Sequence, residues 1–123
     1  MANHSPRFLQ IVESVRGNIR ECTVVDVQQR VSRGEQFILL DVGEERSFTA
    51  GHLPGAKWLG NGIIERDIET VVPDPDTELV LYCGGGFRSD LAADNLQKMS
   101  YTNIISMVGG FRGWKDAGYP IEK

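Results

Sequence analysis

Leu79-Val80-Leu81-Tyr82 runs directly into Cys83-Gly84-Gly85-Gly86-Phe87-Arg88-Ser89, and this junction constrains the chain more than any other stretch. The apolar run reads as a buried strand, and Leu91, Ala92, Leu96 and Met99 then recur at the spacing of one helix face. A cysteine therefore stands at the end of a strand, followed by a glycine loop and the opening of a helix. In such a turn the backbone N–H groups can converge on one point, and consecutive glycines allow whatever positive φ that convergence needs. The helix N-terminus adds unpaired donors and a partial positive charge, and Arg88 adds a permanent cation. A cysteine at that focus should ionise readily, and the thiolate is the nucleophilic form. The stretch predicts a cradle for a sulfur anion.

The rest of the chain alternates helices with short apolar runs. Ser5-Pro6 has the look of a cap followed by proline in the first helical position, and Phe8, Val12, Val15 and Ile19 keep a helical spacing stopped near Gly17. Residues 1–18 are expected to form a helical arm that packs on the domain; a partner-binding helix is the alternative. Residues 19–22 follow as a short strand, and Thr23-Val24-Val25-Asp26 matches a capping box. The helix it opens should run to about Arg33, with Val24, Val27 and Val31 as its apolar face and Gly34 as its end. Phe37-Ile38-Leu39-Leu40-Asp41 predicts a second buried strand, and Glu44, Glu45 and Phe48 a short helix. The turn Gly51-His52-Leu53-Pro54-Gly55-Ala56 leads to a third strand at Lys57-Trp58-Leu59. Ile64, Ile68, Val71 and Val72 mark a helix stopped by Pro73. The last strand spans Ile104 to Val108, and Gly109-Gly110-Phe111-Arg112-Gly113-Trp114 opens a closing helix that ends at Gly118 and Pro120. Strands alternating with helices imply an α/β fold with a mostly parallel sheet covered on both faces. Ligands bind such sheets outside the carboxyl ends of the strands, which is where Cys83 lies.

At 123 residues the chain has room for one domain, with a core large enough to stand without disulfides. Its net charge of −4, with no Lys/Arg cluster, argues against nucleic acid or an anionic membrane as a partner. No apolar stretch is long enough to span a bilayer, and the first seven residues lack the pattern of a signal peptide. Two cysteines far apart in sequence fit a reducing cytoplasm. Cys22 reads as a small apolar filler; a resolving thiol for Cys83 is the alternative.

Taken in order, Asp41-Val42, Gly51 to Ala56, Cys83-x4-Arg88-Ser89, Gly109 to Trp114 and Gly118-Tyr119-Pro120 resemble the motifs of a single-domain rhodanese. The resemblance covers roughly residues 19 to 121, which makes 19–123 the rhodanese-like domain. It implies a five-stranded parallel sheet between helices, and thiosulfate sulfurtransferase activity through a cysteine persulfide. Cys83 would be the nucleophile, with Gly84, Gly85, Gly86, Phe87, Arg88 and Ser89 holding its sulfur. Two positions depart from the family pattern: Gly43 stands where arginine is usual, and Val108 where aspartate is common.

The expected chemistry takes the outer sulfur of a small anionic donor such as thiosulfate onto Cys83. It then passes that sulfur to cyanide or to a small or protein thiol, with no metal or organic cofactor required. Arg88 should either meet the entering anion or brace the loop, and the chain's net negative charge favours a share in anion binding. His52 reads as a structural hydrogen-bonding residue rather than a base. Glu65, Arg66 and Asp67 read as a solvated helix face, with Arg66 a weaker candidate for the pocket mouth. Two alternatives stay open. One is a persulfide carrier or redox-sensing module without turnover of its own. The other is a cysteine-based phosphatase or arsenate reductase; those enzymes place five residues between cysteine and arginine, whereas Gly84 to Phe87 makes four.

Overall fold

The apolar runs at 38–41, 79–82 and 104–107 assemble side by side because each lacks a polar face to turn to water, and two short, more polar strands close the edges of the sheet. In the computed structural model, which describes residues 4–123, the strands are β1 (Arg20–Cys22), β2 (Ile38–Asp41), β3 (Lys57–Trp58), β4 (Leu79–Tyr82) and β5 (Ile104–Met107). They pair in parallel in the order β1-β5-β4-β2-β3. Met1 to Asn3, which begin the expected arm and the stretch read for a signal peptide, lie outside the described residues. No helix among the described residues is long and apolar enough to cross a membrane.

β4 occupies the centre, and all four of its residues are fully buried. Its side chains alternate between two cores, as the period of a strand requires. Leu79 and Leu81 face one cluster with Leu40, Ile64, Ile68 and Leu96; Val80 and Tyr82 face the other with Val27, Leu53 and Trp114. The alternation carries on past the strand end, so Cys83 falls on the first face.

The helices are α1 (Pro6–Arg16), α2 (Val24–Ser32), α3 (Glu45–Ala50), α4 (Ile64–Val71), α5 (Phe87–Lys98) and α6 (Gly110–Asp116). The capping box is present: Asp26 N–H donates to Thr23 Oγ1 at 3.1 Å, and Thr23 N–H donates to the Asp26 carboxylate at 3.0 Å. The Thr23 N–H first, and then the Thr23 hydroxyl, hold the Asp26 carboxyl below the usual carboxylate range. The apolar face of α2 is narrower than its spacing predicts. Val27 is buried but Val31, in the last turn of this nine-residue helix, is 38% exposed. Likewise Val71, at the end of α4, faces solvent, and Ile64, Ile68 and Val72 carry the packing.

α1 lies against α5 through the buried Val12. Arg16, at its C-terminal end, reaches Asp90 on α5 with Nε 3.0 Å from Oδ2. This contact brings the opposite end of α1 to the mouth of the cysteine loop.

Candidate active site

The loop leaves β4 and enters α5 with a single backbone inversion. Gly86 takes φ +99°, and a Cβ there would stand 3.0 Å from the Gly109 nitrogen, so the position admits glycine alone without strain. Gly84 and Gly85 do not have positive φ, and nothing lies within 4 Å of where their Cβ atoms would be. The three glycines thus do different work: one makes the turn, and two leave the floor of a pocket open.

The inversion aims the Gly86 N–H at Cys83 Sγ, 3.1 Å away. Beneath it the buried Ser89 hydroxyl lies 3.9 Å from Sγ and donates to the Gly86 carbonyl at 3.2 Å. Ser106, on β5, donates to Ser89 Oγ at 2.8 Å and fixes that rotor from below. Both serines are fully buried. Sequence reasoning missed Ser106. A lone serine inside an apolar run was its only signal.

α6 braces the outside of the loop. Phe111 N–H donates to the Cys83 carbonyl at 2.8 Å, and Arg112 N–H to the Gly84 carbonyl at 3.0 Å. The approach is close because Gly110, at φ +57°, has no side chain. A Cβ there would overlap the Cys83 carbonyl oxygen and stand 2.8 Å from that of Gly84. The paired glycines of the last motif therefore serve the cysteine loop as much as the helix they open.

Arg88 lies at the pocket but is already engaged, with Nη1 2.6 Å from Glu44 Oε1. Of its two predicted roles, this geometry is that of a brace between the loop and the start of α3. Arg112 also lines the pocket, is exposed, and has no side-chain ion pair or hydrogen bond among the described residues. Arg66 does not line it. Its side chain is 72% exposed and pairs with Asp67 at 2.7 Å, on a different surface. Glu65 accepts from Asn95 at 2.8 Å.

The remaining candidates sort by face. Cys22 belongs to the second core, two strands away from β4, whereas Cys83 belongs to the first. Both cysteines are free, and the sheet separates them. Burial pushes the Cys22 thiol up to about 11. His52 stacks on Phe48 with ring centroids 3.9 Å apart, and its Nδ1 lies 2.9 Å from the Phe48 carbonyl oxygen, the structural role its turn suggested. Gly43 is buried where the sheet meets the loop. Its N–H donates to the Asp41 carboxylate at 2.9 Å and its carbonyl accepts from Trp58 Nε1 at 2.9 Å. A Cβ there would sit 3.2 Å from Asp41 Oδ1 and 3.6 Å from the Arg88 guanidinium. Val108 is exposed, and its N–H donates to the Cys22 carbonyl.

The fourth wall comes from α1, which the sequence reads as a packing arm, with a partner-binding helix as the alternative. His4, Phe8 and Leu9 line the pocket above Cys83. His4 and Phe8 meet Phe87 edge-on, with centroids 4.7 and 6.3 Å away. The Arg16 guanidinium lies 5.2 Å from the same ring.

Residues 23–117 match the rhodanese-like domain family. The thiosulfate sulfurtransferase GlpE of Actinobacillus succinogenes is 34% identical over 88 residues, covering 72% of this chain and 78% of that protein. YrkF of Bacillus subtilis, named as a proposed sulfur carrier protein, is 28% identical over 97 residues. That match covers 79% of this chain but spans only about half (51%) of YrkF. Among solved structures, a protein of unknown function from Rhodopseudomonas palustris, described as a possible tyrosine phosphatase, superposes with a TM-score of 0.85. It is 30% identical, and the match covers 99% of both chains, α1 included.

Proposed function

The chain belongs to the rhodanese-like domain family, and from that premise we propose that it is a sulfurtransferase that carries a sulfane sulfur on Cys83. The observation that carries this reading is the placing of Sγ. It lies at the floor of an open pocket, 3.1 Å from an inward-pointing N–H, inside a loop of four residues between cysteine and arginine. A ring of that size suits one sulfur atom better than a tetrahedral oxyanion.

In the first half-reaction the Cys83 thiolate attacks the outer sulfur of thiosulfate. The S–S bond of the donor breaks, its electron pair leaves with sulfite, and a persulfide anion remains on Cys83. The Gly86 N–H is positioned for the anionic sulfur, as preorganised donors are for an oxyanion. In the second half-reaction a nucleophile takes the outer sulfur and returns the electron pair to Cys83 as thiolate: cyanide gives thiocyanate, and a thiolate gives a new persulfide. The GlpE relative is named for thiosulfate, which supports the donor class.

Intact mass after incubation with thiosulfate is expected to show one added sulfur atom on the wild type and on Cys22→Ser, and none on Cys83→Ser. Thiocyanate formation should follow the same pattern. Loading without turnover would favour a carrier, the role for which YrkF is named. Faster hydrolysis of an aryl phosphate than transfer of sulfur would favour the phosphatase reading attached to the Rhodopseudomonas protein.

A further inference from the structure

Thiosulfate uses only a small part of this pocket. His4 and Ser5 also line the α1 side and could donate to an anion, but a hydrated dianion gains nothing from Phe8 and Leu9, and placing its charge against them would cost desolvation. That wall is nonetheless anchored. The His4 and Phe8 rings pack on each other with centroids 5.3 Å apart and meet Phe87 edge-on, and Arg16 ties the far end of the helix to buried Asp90. Leu9 is left 37% exposed over the pocket. On the α6 side stands Arg112, a guanidinium with no acidic partner among the described residues. Arg88, by contrast, is neutralised by Glu44.

Apolar side chains, the Arg112 cation and a sulfur nucleophile in one pocket define a ligand of matching design. Resting on the sulfurtransferase reading, we propose that the sulfur acceptor is an amphipathic thiol, with an apolar body that lies along α1 and a carboxylate or similar anion that meets Arg112. Phe8 and Leu9 are then specificity residues for the apolar body, and Arg112 for the anion. The transfer is balanced as before. The acceptor thiolate bonds to the outer persulfide sulfur, the bond to Cys83 Sγ breaks, and its electron pair restores the Cys83 thiolate. The product is the persulfide of the acceptor.

The test uses Cys83 persulfide prepared with thiosulfate and follows single-turnover unloading by 3-mercaptopropionate, 6-mercaptohexanoate and 8-mercaptooctanoate. The uncharged 6-mercaptohexanol completes the series. Each rate is divided by the cyanide unloading rate of the same protein. A fully buried methylene is worth about fourfold, so partial burial should raise the normalised rate by about tenfold or more from the three- to the eight-carbon acid. The six-carbon acid should exceed the alcohol by roughly tenfold at low salt, and by less at high salt. Phe8→Ala should flatten the dependence on chain length, and Arg112→Gln should erase the preference for acid over alcohol. Leu9→Gln alters an exposed position, so it should flatten the chain-length series without a shift in thermal melting even if Phe8→Ala unfolds. Equal normalised rates for all four thiols in the wild type would overturn the proposal while leaving the sulfurtransferase reading standing. Failure of Cys83 to load at all would overturn both.

Discussion

Gly85 and Gly86 are the same residue in adjacent positions, yet they meet different demands. Gly86 needs its positive φ and lies against the backbone turn between β5 and α6, whereas Gly85 borders open space. Gly86→Ala is expected to cost about 1–2 kcal/mol through the left-handed backbone. It should also slow persulfide formation, because the N–H that faces Sγ would turn away. Gly85→Ala should stay within about 0.5 kcal/mol of the wild type. Paired denaturant titrations and thiosulfate loading rates would check both; equal losses of stability would mean that the turn tolerates a side chain. Gly110→Ala should be worse than either, because its Cβ has no room beside the Cys83 and Gly84 carbonyls. Arg88 also belongs at this scale. Its pair with Glu44 is partly exposed and stabilises by at most about 1 kcal/mol. If Arg88 braces the loop, Arg88→Ala should slow loading and cyanide unloading alike, and Glu44→Gln should reproduce most of the effect. A loss confined to thiosulfate capture would instead assign Arg88 to the donor.

At the scale of elements, α1 is a wall held by one polar latch. Asp90 is fully buried, with Oδ2 on Arg16 and Oδ1 without a hydrogen-bond partner among the described residues. Removing the guanidinium leaves a buried carboxylate unpaired. Breaking such a pair costs about 3–5 kcal/mol when both groups are buried, and Arg16 is one-third exposed, so Arg16→Met should cost nearer about 2 kcal/mol. Adding Asp90→Asn should recover part of it, since no charge is then stranded; a double variant as unstable as the sum of the singles would contradict this. Glu21, on β1, lies 3.8 Å from the same guanidinium. Burial first, and then the Asp90 carboxylate, push its carboxyl above the usual range. The folded state therefore holds this proton more tightly than the unfolded state. Stability is lost as pH climbs from the unfolded pKa through the raised folded one, and the loss is complete above both. Glu21→Gln should consequently stabilise the protein more at pH 7 than at pH 4, by up to about 1 kcal/mol. Urea titrations at the two pH values would show it, and an unchanged difference would refute it.

For the molecule as a whole, the parallel sheet is a partition as well as a scaffold. Its central strand delivers Cys83 to one core, while the edge strand β1 delivers Cys22 to the other. With its thiol raised to about 11, Cys22 should carry only about one thiolate in a thousand at pH 8 and react slowly with iodoacetamide. Peptide mapping of oxidised protein is expected to find no Cys22–Cys83 disulfide at any stage short of unfolding. Finding one would mean that the sheet opens far more readily than its fully buried central strand implies.

The sequence alone determined the order of the elements and the placing of Cys83 between a strand and a helix, because both rest on local rules. A strand, a breaker and a helix cap are each encoded within a few neighbouring residues. The strand–glycine–helix junction at Cys83 and the capping box at Thr23 are legible for that reason. Tertiary structure decided what meets at the loop. The use of Gly110 as a point of close approach, the lock of Ser106 on Ser89, the pairing of Arg88 with Glu44 and the wall from α1 join residues 17 to 83 positions apart. No local pattern marks such partners; they meet because parallel strands bring their carboxyl ends to one edge and α1 must cover α5. Val31 and Val71 show the same limit from the other side. Their spacing is that of a buried face, but at the end of a helix exposure depends on how far the neighbouring layer extends.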